Sequence, residues 1–236
     1  MKHKTPPKSI SSSEIINTLT QAYGDYIAAR ILLLNKKLQQ GHLLASYAIE
    51  KYFKAILLFR GNRIDGHNIS ANKFINSLAN FVPEFHKILN QEFIFYLEKS
   101  FELRYWDNQK KFGNMLLYQI RTLYELDKIV FAVENSIELS ENGNILEKFY
   151  FSDIKNRRND LIEKNYFLND PKPFDLNSFD EAIEFIGLNP QNTLISMISE
   201  TTQSKHSGKF PVNGELLMKA LNGGKDIIIP EYNPIS

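Results

Sequence analysis

The sequence predicts an all-α architecture for residues 11–140, an up-and-down bundle of four long helices and a short one, followed by a mixed, mostly helical extension. Three observations carry this. Residues 43–59 are almost wholly apolar except for Ser46, Glu50 and Lys54. Their i, i+4, i+8 spacing makes one narrow polar stripe on a helix, with Lys51 beside it. Elsewhere in residues 11–140 apolar residues recur three and four apart, the helical rather than the strand period. The linking stretches are compact, and short helix-to-helix links favour antiparallel neighbours.

Residues 1–10 carry Pro6-Pro7 and three lysines and are expected to form a flexible arm. Ser11, Ser12 or Ser13 can cap the first helix, and Glu14 stands in its first turn, where acid suits the helix dipole. Ile15, Ile16, Leu19, Ala22, Tyr23, Tyr26, Ile27 and residues 31–34 continue it to about residue 40, although Gly24 costs about 1 kcal/mol against alanine. A link at Gly41-His42 leads into the central helix, which stops at Arg60-Gly61, where glycine supplies a C-terminal cap. A turn-rich loop over 61–70 precedes a weaker helix through Phe74, Ile75 and Leu78. Pro83 ends or restarts that helix, and residues 85–105 form another with the aromatic face Phe93, Phe95, Tyr96 and Phe101. After a loop at 106–113, residues 114–139 read as one long helix.

Beyond Asn144 the texture changes, and residues 141–236 are expected to pack on the bundle as an appendage. Residues 145–154 are short and aromatic, Asn156-Arg157-Arg158 is a basic turn, and short helices are expected at 178–186 and 191–199. Residues 215–221 can form one more helix, and 226–230 a short strand or extended tail.

With 236 residues, 43% hydrophobic and 12% aromatic, the chain is globular rather than disordered. No apolar run reaches the roughly 18 residues of a membrane span, and no apolar segment follows the basic N-terminus, so a cytoplasmic protein is expected. The absence of cysteine excludes disulfides and thiolate ligands or nucleophiles. Residues 1–140 hold 18 Lys+Arg against 13 Asp+Glu, and the remainder 10 against 14. That asymmetry suits two parts with different surfaces, and it is too mild to diagnose nucleic-acid binding. The five histidines are scattered without paired helical spacing, so neither a metal nor another cofactor is expected.

The segment Ala48-Ile49-Glu50-Lys51-Tyr52-Phe53-Lys54-Ala55-Ile56-Leu57, followed by Gly61 and His67, resembles the HEPN family (higher eukaryotes and prokaryotes nucleotide-binding). Leu103-Arg104-Tyr105-Trp106-Asp107 is similar to that family's Arg-Tyr-Pro-Asp stretch, with Trp106 in place of proline. The resemblance covers residues 13–139. It implies a nucleotide or RNA ligand, a homodimer, and a toxin–antitoxin or phage-defence setting with a nucleotidyltransferase-type partner. Some members look like metal-independent ribonucleases, marked by an Arg and a His with four to six residues between them, near the last core helix. Here no His follows Arg104 until His206, and the formal match is Arg60 to His67.

Metal-free RNA cleavage needs a base, an acid and a cation at the phosphate. His67 suits proton transfer and Arg60, with Arg63, suits charge stabilisation. The plainer alternative makes His67 a local packing residue and Arg60 a helix C-terminal cation. Arg104, Tyr105 and Asp107 offer a second site, a phosphate contact and a stacking ring with Lys54 nearby, or else an Arg104–Asp107 pair at a helix end. Glu50 and Lys54 either form a surface ion pair or face a groove that holds a polar ligand. Binding without catalysis is the preferred expectation; a ribonuclease using Arg60 and His67, and a structural dimerisation bundle, are the alternatives.

Overall fold

The computed structural model describes residues 10–67, 69, 72–104, 115–141, 144–165, 168, 179–188 and 194–204. The expected tail at 226–230, the helix at 215–221, the arm before Ile10, and Tyr105, Trp106 and Asp107 lie outside them. The fold is mostly helical with a small antiparallel three-stranded sheet, so the all-α expectation holds for the helical part alone. No helix among the described residues is long and apolar enough to cross a membrane.

Helix α1 spans Ser12–Leu34, with Ser11 Oγ accepting the Glu14 N–H as its cap, and α2 spans Leu38–Phe59. They form a hairpin, and α2 also touches α3 (Asn72–Phe81), α5 (Gln91–Glu102), α6 (Ile120–Ser136) and strands β1 (Met115–Tyr118) and β4 (Phe179–Leu188). Helix α4 (Pro83–Ile88) starts with its proline at N1, where the missing N–H costs nothing.

The hairpin turn differs from the sequence expectation. It falls at Asn35–Lys37 rather than Gly41-His42, because the Lys36 N–H donates to the Leu33 carbonyl at 3.0 Å and the Lys37 N–H to the Leu32 carbonyl at 2.8 Å. Lys36 takes the left-handed conformation, φ 59°, that this closure requires. Gly41 lies within α2, where a Cβ would come within 2.7 Å of Leu33 Cγ; its job is close helix approach. The helix expected over 85–105 is also broken, at Leu89-Asn90. There Asn90 Oδ1 accepts the Phe93 N–H at 3.2 Å and starts α5 afresh.

The largest correction is the sheet. Met115–Tyr118 is strand β1 rather than the first turn of the helix expected over 114–139, and α6 begins only after Gln119. The helices expected at 178–186 and 191–199 are instead strands β4 (Phe179–Leu188) and β5 (Leu194–Ser204). The order is β1-β4-β5, with Met115 opposite Ile186, Tyr118 opposite Ile183, and Ala182 opposite Glu200. A short apolar run buried on both faces carries no alternation, so its period does not separate strand from helix. In β5 the Ile, Ser and Thr content suits a pleated surface. A two-residue pair, β2 (Ser140–Glu141) and β3 (Asn144–Ile145), then leads to α7 (Phe149–Lys155) and α8 (Asn159–Ile162), which lie against α1.

Two buried polar clusters lock these layers. Arg30 of α1 and Asp127 of α6 form a fully buried ion pair. The Tyr26 hydroxyl donates to Asp127 Oδ1 at 2.9 Å, while Arg30 Nε donates to the Asp160 carbonyl at 2.8 Å and Nη2 to that of Glu163. Burial opposes the guanidinium charge, yet Asp127 and Tyr26 more than offset it and Arg30 is held above its ordinary pKa. Burial raises the Asp127 carboxyl as well. Geometry decides for the ionised pair, since both Asp127 oxygens accept, one from each donor.

The second cluster surrounds His42, placed by sequence in a link and found fully buried on α2. Its Nδ1 lies 2.7 Å from the Leu38 carbonyl, so that nitrogen carries the proton, and Nε2 accepts from the Thr122 hydroxyl at 2.9 Å, with the Tyr96 hydroxyl, which donates to the Leu116 carbonyl at 3.2 Å, at the same distance from it. Burial pushes this imidazole down to about 4.

Asp127→Ala leaves a buried guanidinium without its counter-charge and is expected to lower unfolding free energy by about 3–5 kcal/mol in urea titration. For His42, the unfolded chain takes up a proton near pH 6.5 and the folded chain only near 4. Its contribution is therefore complete above pH 6.5 and declines on acidification towards pH 4, a loss of roughly 3 kcal/mol. His42→Gln should flatten that segment of the stability profile; parallel profiles for the two proteins would assign the pH dependence to other groups.

Candidate functional site

Lys54, the last residue of the polar stripe on α2, borders a groove where the chain leaves that helix. Gly61, at φ 78°, ends α2 as the glycine predicts, with the Gly61 N–H donating to Leu58 and the Asn62 N–H to Leu57. Gly66, at φ 122°, turns the loop again and brings His67 back over the stripe. The loop and the start of α1 enclose a depression of about 380 Å³ bordered by Glu14, Thr18, Lys54, Arg63, Asp65 and His67.

Glu50 is the hinge of the arrangement. Its side chain is only 8% exposed, and Oε1 accepts from Lys54 Nζ at 2.6 Å and from His67 Nδ1 at 2.8 Å. His67 itself is 82% exposed. Its Nδ1 edge is therefore fixed by a carboxylate while the ring stands towards solvent, the way a carboxylate sets an imidazole's tautomer. Ser46, one turn earlier, donates to the Leu97 carbonyl at 3.0 Å. Ser46, Glu50 and His67 also border a second hollow with Ile69, Glu98 and Phe101, about 10 Å³ and too small for more than a single water.

Of the residues expected from sequence, the structure thus brings together Glu50, Lys54 and His67. Glu50–Lys54 is the acid-first i, i+4 pair, but set below the surface. Arg60 is not among the groove's lining residues; its guanidinium lies over the neighbouring Phe59 ring, 5.5 Å from the centroid. Arg104 sits 3.6 Å from the centroid of Phe101 and donates to the Tyr47 hydroxyl at 3.0 Å. It belongs to the neighbouring surface of α5, and its expected companions Tyr105 and Asp107 lie outside the described residues.

Two groove residues were not singled out in that role. The sequence presents Glu14 only as a first-turn acid, yet its carboxylate accepts from both terminal nitrogens of Arg63, Oε2 from Nη2 at 2.7 Å. Thr18 Oγ1 donates to the Glu14 carbonyl at 2.8 Å. The two stand four apart on α1, a spacing that marks one helical face and nothing about what the face meets. Among the described residues, no group of three or more His, Cys, Asp or Glu side chains converges as a metal site would need.

No protein-family model, curated protein or solved structure matches this chain. The site therefore stands on its own chemistry: a carboxylate-oriented imidazole beside one lysine and one arginine, in a concavity at the low end of the size range of small-molecule sites.

If Glu50 sets the His67 ring, nitrogen NMR at neutral pH should find His67 protonated at Nδ1 in the wild type. In Glu50→Ala the ring should revert to the mixture of tautomers seen in free imidazole. An unchanged spectrum would mean that the 2.8 Å contact does not orient the ring.

Proposed function

We propose that the protein binds a nucleotide or RNA in this groove without cleaving it, as a HEPN-like protein. The observation that carries the reading is that Lys54 and His67, two positions taken from the sequence, border one concavity of about 380 Å³ while both bond to Glu50 beside it. Lys54, Arg63 and His67 supply donors for phosphate oxygens, and the volume suits a small anionic ligand. In this reading the hairpin of α1 and α2, with α5 and α6 beside it, is the counterpart of the family's up-and-down bundle. The homodimer, the nucleotidyltransferase-type partner and the toxin–antitoxin or defence setting belong to the same proposal and rest on the resemblance alone.

Binding is preferred to catalysis because the arginine that a ribonuclease motif would pair with His67 lies outside the groove, over Phe59. One observation favours the second reading, metal-independent cleavage. A carboxylate-held imidazole with an exposed ring is suited to take a 2′-hydroxyl proton, and Arg63 could stand in for Arg60 as the cation.

The experiment pairs two measurements on the full chain. Melting temperature in the presence of AMP or a short single-stranded RNA should rise if either binds the folded state, and by about 2.7 kcal/mol in stability at a hundredfold excess over Kd. RNA incubated in EDTA with wild type, His67→Ala and Arg60→Ala should stay intact in all three. Cleavage lost in His67→Ala would replace the binding reading with the ribonuclease. No shift and no cleavage would leave a structural interaction protein.

A further inference from the structure

The groove's cations are already answered from within the chain. Arg63 grips Glu14 through both terminal nitrogens, and Lys54 is held by Glu50. A guanidinium fork that seats a carboxylate has the same geometry for two oxygens of a phosphate. Glu14 thus stands where a phosphate on Arg63 would sit. Arg63 is 42% exposed and Glu14 31%, and ion pairs this open to water contribute little, so an incoming anion can displace the carboxylate.

We propose that Arg63 is the phosphate-binding residue of the groove and Glu14 its internal competitor, a pairing that selects a terminal phosphate monoester over an internal phosphodiester. The inference rests on the nucleotide reading given above. Selection follows from charge. A diester brings one negative charge to replace the one negative charge of Glu14, so the exchange on Arg63 is nearly even. A monoester carries about −1.5 to −2 at pH 7 and gains on the exchange, with Lys54 and His67 bordering the same groove to share the excess.

The test is calorimetric titration of the full-length chain with AMP, a monoester, and with the dinucleoside ApA, which carries a diester only. Wild type should favour AMP. Glu14→Gln removes the competing charge while keeping the side chain's shape, and should tighten both ligands by roughly two- to fivefold, AMP at least as much as ApA because the more highly charged ligand gains more from the lost repulsion. Arg63→Gln should lose the preference for AMP. Arg63→Lys, which retains charge but not the fork, should weaken both ligands while keeping the preference for AMP, with circular dichroism verifying that each variant is folded. If AMP binds wild type but neither Glu14→Gln nor Arg63→Gln changes either affinity, the phosphate lies elsewhere and this inference is overturned while nucleotide binding stands. Absence of binding by all the proteins overturns the nucleotide reading and this one together.

Discussion

The buried ion pair between Arg30 and Asp127 is the constraint on which the rest of the helical assembly depends. A guanidinium taken fully out of water is tolerated only when its donors are met, and here they are met by two separate pieces of chain: a carboxylate from α6 and main-chain carbonyls at the start and exit of α8. The charge therefore fixes the relative positions of α1, α6 and α8. Tyr23 reinforces the same side of α1 by donating to Asp153 of α7 at 2.6 Å, and Arg158 completes that contact at 3.0 Å. With α1 held in this way, its hairpin partner α2 is presented to the groove in one orientation, and the polar stripe acquires its neighbours.

Beside the groove, Glu50 does for the site what Asp127 does for the core. It is a nearly buried acid that takes two cationic or proton-bearing partners at once, and its position under the loop determines where His67 stands. The distinction between the two acids is access. Asp127 is sealed, so its interactions serve stability; Glu50 is sealed on one side only, and both of its partners reach the groove. The same chemistry of one carboxylate and a few donors is structural or functional according to what lies on its far side.

Much of this was legible in sequence, and the failures share a cause. The stripe Ser46, Glu50, Lys54 and the stop at Gly61 are local signals, a period and a backbone preference, and both stand as read. The end of α1 was misplaced because glycine is the visible marker of a left-handed cap, whereas here Lys36 takes that conformation; Arg157, at φ 53°, closes α7 in the same manner. Gly41, which drew attention as a turn, serves packing against Leu33 instead. Strands β1 and β4 were read as helix because a run buried on both faces has no period to betray it, and their pairing joins segments more than 60 residues apart. Arg30 and Asp127 look like any charged residues on helix surfaces until the fold puts them together. The approach of His67 to Glu50 depends on two positive-φ glycines whose combined turn is not a pattern in the residues themselves.

Arg30 and Asp127 are 97 residues apart. A ribosome adding about 5–20 residues per second takes roughly 5–20 s to cover that distance. During this interval the hairpin of α1 and α2 can form from local contacts, but the face of α1 that bears Arg30 has nothing to close upon, and the guanidinium keeps it wetted. The sheet waits longer still, since β1 finds its neighbour only when β4 has been made. Until Asp127 has been made, burying that face of α1 against anything else would cost the desolvation of an unpaired guanidinium.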